Sequence, residues 1–292
     1  MKRLYLTLAF LLITPALFAQ INLPGMDVLT KTDKSFSTFN NCGTPTAGDL
    51  VVNGGFEQYS SLPVFSGQIA NACNWSVANL TTPDYYHRHS TNQTISVPEN
   101  GKGTQEVNPV HGGDAYAGIW VAAELRANGE LSTYIETVKN QLHEPLRPNT
   151  EYTLTFDVSL SDNHTDAIRF QAFLGNLFSS SFRDELPVDE QPNGILLENE
   201  SPSTNTTGWE TIEFTFTTGA EAGQDYLYLG GLYEIDYTAL TGGNNSHLSY
   251  YYIDNVSLTE IDNCTDCTHG LRDELQHRLW EGFTEDLEKC GN

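Results

Sequence analysis

The chain has 292 residues, with 14 Lys and Arg against 38 Asp and Glu, a formal charge of −24 at pH 7. That surplus repels a phosphate backbone and excludes nucleic acid as a natural partner. The 14 Phe and 14 Tyr suit strands better than helices.

Residues 1–19 read as a secretory signal: Lys2 and Arg3, an apolar run from Leu4 to Phe18, then Ala19. The run is too short for a stop-transfer helix, and no later stretch reaches membrane-spanning length, so no membrane insertion is expected. Cleavage leaves 12 basic against 38 acidic side chains, a formal charge of −26. The first cysteine is Cys42, so no lipid anchor is expected at the cut, and the expected location is the periplasm, the outer cell surface or the medium. Residues 20–47, with Pro24-Gly25 and Pro45, read as an extended arm.

A domain is expected over 48–261. Its first strand is Asp49 to Val52, followed by the turn Asn53-Gly54-Gly55-Phe56-Glu57. Thr82-Pro83-Asp84-Tyr85-Tyr86-His87 reads as a rigid loop with exposed rings. A strand from Ala115 to Ala123 directs Ala117, Ile119 and Val121 one way and Tyr116, Gly118 and Trp120 the other. Leu131, Tyr134, Ile135, Val138 and Leu142 follow helical spacing.

Tyr152, Leu154, Phe156, Val158 and Leu160 alternate with polar residues as in a half-buried antiparallel strand. Ile168, Phe170, Ala172 and Leu174 do the same, with Arg169, Gln171 and Phe173 on the reverse. Leu177 to Gly208 is expected to be a long loop. Strands follow at Ile212–Phe216 and Tyr226–Gly230, then a loop from Asp236 to His247. Tyr251 to Leu258 closes the domain, and its broken alternation predicts a bulge at Asp254-Asn255. Strands at this spacing give a sandwich rather than a parallel sheet. Beyond Ile261, Leu271, Leu275, Leu279, Phe283 and Leu287 mark an amphipathic helix within a cysteine-containing extension, 262–292.

Five cysteines remain in the exported chain, at 42, 73, 264, 267 and 290. Cys42 can pair with Cys73, and Cys290 with Cys264 or Cys267, leaving one over. Cys264 and Cys267 followed by His269 invite a metal or haem reading. Thr268 separates the histidine from the second cysteine, and export favours disulfides.

Leu50 to Glu57, Ala72 to Trp75, Thr82 to Tyr86, Gly113 to Gly118, Tyr134-Ile135-Glu136 with Pro145-Leu146, and Tyr252 to Val256 together resemble the galactose-binding-like jelly roll. That is the fold of carbohydrate-binding modules of families four, nine and twenty-two, and the chain looks still more like the version exported by Bacteroidetes. The resemblance covers about residues 48–260. It implies an all-β fold, an antiparallel two-sheet jelly-roll sandwich, with the Tyr134 segment as a strand despite its helical spacing. It also implies a structural calcium, with Glu57 and Asp254 matching the acidic ligands and Asn53 and Asp114 completing the set; calcium takes about six to eight oxygens.

No enzyme is expected. Glu234-Ile235-Asp236 resembles the start of a jelly-roll glucanase signature, but Thr238-Ala239 stand where its second glutamate belongs, and glycan hydrolysis needs paired carboxylates. His87 and His89 beside Asp84 read as a surface loop, and no nucleophile elbow is present. The expected function is non-catalytic binding of an extracellular polysaccharide or glycan. Its platform would combine Trp120, Arg169 and Gln171 with loop residues Tyr85 and Tyr86, because sugars offer apolar ring faces and hydroxyls to aromatic and hydrogen-bonding side chains. The rival class is a cell-surface adhesion protein that binds another protein.

Overall fold

The computed structural model describes residues 43, 45–125, 131–164, 166–178, 185–233 and 246–261. The signal, most of the arm, Glu234 to Asp236 and the expected C-terminal helix lie outside the described residues. In chain order the strands begin with β1 (Trp75–Val77), β2 (Asp84–His87), β3 (Glu99–Asn100), β4 (Gly103–Thr104), β5 (Ala115–Leu125), β6 (Leu131–Ile135) and β7 (Val138–Gln141). They continue with β8 (Glu151–Leu160), β9 (Gln171–Gly175), β10 (Ile195–Glu198), β11 (Glu210–Thr217), β12 (Tyr226–Gly230) and β13 (Ser246–Glu260).

Two antiparallel sheets face each other. One is ordered β11-β8-β13-β5-β2 with β6 also on β5; the other is β1-β7-β12-β9-β10; β3 and β4 form a separate hairpin. From β7 onward the chain passes back and forth between the two sheets, with β9 and β10 the one consecutive pair within a sheet. This is the all-β antiparallel sandwich that the alternation predicts. Its core is the set of inward positions: Tyr152, Leu154, Phe156 and Val158 of β8 and Ile119 of β5 meet Val138 of β7, Ala172 and Leu174 of β9 and Leu227 and Leu229 of β12.

The bulge falls where expected. Pairing of β13 with β8 shifts register between Asp254 and Ser257, and Asn255 adopts φ 51°. The expected first strand shrinks to a single bridge, Asp49 with Thr259. The Asp49 carboxylate accepts the N–H groups of both Val51 and Leu258, and Asn53 and Phe56 at φ 59° and 60° turn the chain away. The two ends of the domain still meet, through Leu50 N–H to Leu258 O at 2.8 Å and Val256 N–H to Gly54 O at 3.0 Å.

The segment with helical spacing is two strands, β6 in one sheet and β7 in the other. Ile135 and Val138 are both buried, one on each side of the corner, and this produces a spacing of three without a helix. The stretch expected as one loop from Leu177 to Gly208 contains β10, which pairs with β9.

Candidate functional site

Each sheet has an outer face, and the expected platform residues are divided between them. On the six-stranded sheet, Tyr86, Tyr116, Tyr250 and Tyr252 form a buried cluster with Ile95 and Val97, against which Trp120 packs. Trp120 is half-buried, edge-on to Tyr250 at 5.1 Å and His164 at 4.9 Å, with the Lys102 ammonium 4.3 Å from its ring. Its cover is protein, so it closes an aromatic cluster rather than lying open as a platform.

Tyr85 and Tyr86 are not exposed loop rings. They lie in β2, fully buried, because that strand has the main core on one side and the tyrosine cluster on the other. The Tyr85 hydroxyl donates to Phe56 O at 2.9 Å, and Tyr86 and Tyr250 both donate to the Asp84 carboxylate.

Gln171 begins β9 of the other sheet, and Arg169, just before it, pairs with Glu198 of β10 in that sheet, so neither shares the face that carries Trp120. Buried Gln171 donates to Glu198 and Tyr233 O and accepts from Leu232 and Tyr233 N–H; Arg169 pairs with Glu198 at 3.1 Å. Both brace the edge of the sheet.

The outer face of the five-stranded sheet carries a different arrangement, built by register. Ser76, Lys139, Tyr228, Phe173 and Leu196 lie opposite one another across β1, β7, β12, β9 and β10, with Gln141, Tyr226 and Gly175 in the next outward row. At one end Phe178, Leu186 and Val188 cover Phe173 and Tyr228. Phe178 lies 5.9 Å from Phe173 and 5.3 Å from Tyr228, whose hydroxyl donates to Asn176 O. The other end is open: Tyr226, Lys139 and Ser76 are half-buried and Gln141 is exposed. The Tyr226 ring lies 6.2 Å from Tyr228 and 5.9 Å from the Lys139 ammonium. Burial lowers the pKa of Lys139 and raises that of Tyr226. The sequence signal for this face was Tyr226-Leu227-Tyr228-Leu229, which alternates as cleanly as any strand in the chain, together with Lys139 beside buried Val138.

Of the four residues expected to hold calcium, the side chains of Asn53 and Asp114 are engaged elsewhere. Asn53 is committed to its turn: its amide donates to Gln58 O and Cys73 O and accepts from Gln58 N–H, and its carbonyl takes the Trp75 indole N–H. Asp114 faces Arg88 at 3.5 Å and His89 at 3.4 Å. Glu57 and Asp254 do come together, beside Asp157. Glu57 accepts the N–H groups of Asp114 and Ala115. Buried Asp254 accepts one N–H, from Asn255, and its Oδ2 has no hydrogen-bond partner. Burial raises the pKa of both, and for Asp254 the charges of Glu57 and Asp157 add to it.

Asp157 is satisfied by Thr211, Asn108 and Asn255. A cavity of about 550 Å³ opens here, lined by Gly55, Glu57, His111, Asp157 and Asn255 among others. Among the described residues no group of three His, Cys, Asp or Glu is arranged to hold a metal, so a cation here would need backbone oxygens as well. The unmet Asp254 Oδ2 and the mutual repulsion of the carboxyls are what an oxygen-seeking cation would relieve. Cys73 is buried; Cys42, its expected partner, lies outside the described residues.

No protein-family model matches the chain, and no curated protein does. Several solved structures are similar to parts of it, each at a TM-score below 0.5. A family 16 carbohydrate-binding module is 18% identical, covering 51% of this chain and 79% of its own, at a TM-score of 0.27. The xylan-binding CBM22-1 domain of Xyn10C from Paenibacillus barcinonensis is 11% identical over 73% of this chain and 96% of its own, at 0.35. A cleaved adhesin domain of Lys-gingipain from Porphyromonas gingivalis is 10% identical over 70% and 95%, at 0.32.

Proposed function

We propose that this chain is an exported, non-catalytic glycan-binding protein whose binding surface is the open end of the outer face of the five-stranded sheet. The observation that carries this reading is Tyr226, a half-exposed ring fixed on a sheet between Gln141 of β7 and Gly175 of β9, with the Lys139 ammonium 5.9 Å away and buried Tyr228 and Phe173 beside it. A sugar ring stacks its apolar face on an aromatic and exchanges hydroxyl hydrogen bonds with amide, hydroxyl and ammonium groups. Held on strands rather than on a loop, these groups lose little freedom on binding. The motif resemblance to carbohydrate-binding modules points the same way. Calcium would supply structural charge neutralisation at Glu57 and Asp254, joining the turn after Asn53 to the β13 bulge.

The test is affinity electrophoresis of the purified chain through a panel of polysaccharides. At least one should retard it, with a Kd of about 10 µM to 1 mM. Tyr226→Ala should weaken binding tenfold or more, and Trp120→Ala should leave it within about twofold. Binding lost with Trp120 and kept without Tyr226 would refute the face, and reducing sugar released from a bound polysaccharide would refute the non-catalytic reading.

A further inference from the structure

We propose that the glycan taken by this face is anionic, its carboxylate or sulfate group pairing with the Lys139 ammonium. This rests on the reading above and adds the class of ligand.

Five Lys and Arg side chains fall among the described residues. Arg88 pairs with Asp114, Arg147 with Glu260 and Arg169 with Glu198. Lys102 and Lys139 have no carboxylate within 4.0 Å among the described residues. Lys102 lies over Trp120 and Tyr250, at 4.3 and 5.3 Å, in the cluster already described. Lys139 is 5.9 Å from one ring, at the limit of useful cation–π attraction.

The chain has 38 acidic side chains to 14 basic, yet among the described residues none forms an ion pair with this ammonium. The position also withdraws the group from water: Lys139 is half-buried between Ser76 of β1 and Tyr228 of β12, on an outward row that continues with Phe173 and Leu196. A partly desolvated charge without a counter-ion costs free energy that an anionic ligand would return. Asp225, the nearest acid in sequence to Tyr226, is engaged by the Asn176 amide at 3.1 Å. The face therefore offers an anion one unneutralised cation beside an aromatic ring. The net negative charge of the chain works against indiscriminate polyanion binding, and at physiological salt it is screened beyond about 8 Å, so the local cation decides.

The experiment titrates the full chain with matched pairs: polygalacturonate against its carboxyl-reduced form, and dextran sulfate against dextran. Wild type should bind the charged member of at least one pair tenfold or more tightly than the neutral member, and added salt should narrow the gap. Preference in the first pair identifies a carboxylate ligand, in the second a sulfate. Lys139→Met should abolish the preference, Lys139→Arg should keep it, and Tyr226→Ala should weaken both members. Melting curves check that each variant folds, and Lys139→Gln substitutes if the methionine variant does not. Neutral members bound as tightly as charged ones, or a preference that survives loss of Lys139, overturns the inference while leaving the glycan reading intact. Failure to bind any polysaccharide overturns both.

Discussion

Two buried carboxyls, Asp254 and Glu136, carry the residue-scale predictions. Asp254 has an unmet oxygen beside the charges of Glu57 and Asp157. Calcium bound by the folded state alone would stabilise it by about 2.7 kcal/mol at a hundred times Kd. Added calcium should therefore raise the wild-type melting temperature, and Asp254→Asn should erase that rise while melting no lower than wild type in chelator. An equal calcium shift in wild type and variant would dismiss the site.

Glu136 is nearly fully buried and accepts Trp120 N–H at 2.9 Å, Tyr134 OH at 3.0 Å and Thr82 N–H at 3.1 Å. Desolvation nonetheless pushes its pKa up to about 7, with the Asp84 charge adding to it. Between the ordinary value of 4.5 and 7 the folded protein keeps a proton that the unfolded chain has released. The stability tied to that proton is present below pH 4.5 and lost as pH rises through 7, about 3 kcal/mol at most. Urea unfolding at pH 5 and pH 7.5 should show a steeper fall for wild type than for Glu136→Gln; parallel falls would contradict the assignment.

At the scale of elements, β13 organises the molecule: it pairs with β8 and β5, and its bulge receives the turn after Asn53. A Cβ at Gly54 would collide with the Val256 carbonyl, a backbone atom that cannot yield. Gly54→Ala should cost about 3 kcal/mol or more, read as a lowered urea midpoint with an unchanged slope. A shift below about 0.5 kcal/mol would mean that the two ends are not so closely joined.

Much at this scale was legible in the sequence. The alternation in β8, β11 and β12 shows which side chains face inward, and the break after Ile253 locates the bulge. Period-two patterning separates inside from outside, but a sandwich has two outsides. Trp120 and Gln171 both point away from the core, one from each sheet, and only strand pairing reveals that they cannot share a ligand. Burial of Tyr85 and Tyr86 was hidden for a related reason: the segment covering the second face of β2 comes from residues 95–97 and from β5 and β13, distant in sequence.

At the scale of the whole molecule, the sandwich treats its two outer faces differently. One is sealed by a tyrosine cluster with Trp120 at its margin. The other is sealed only around Phe173 and Tyr228, and Tyr226 and Lys139 remain open beside them. Loss of side-chain freedom on binding is least where the ring is already packed on one side, which favours the second face. The most direct test is an amide chemical-shift map of the chain titrated with a polysaccharide it binds. The perturbed amides should lie in Val138–Gln141 and Tyr226–Gly230, with the strands around Trp120 unmoved; perturbation centred on Ala115–Val121 and Tyr250–Tyr252 would contradict the account.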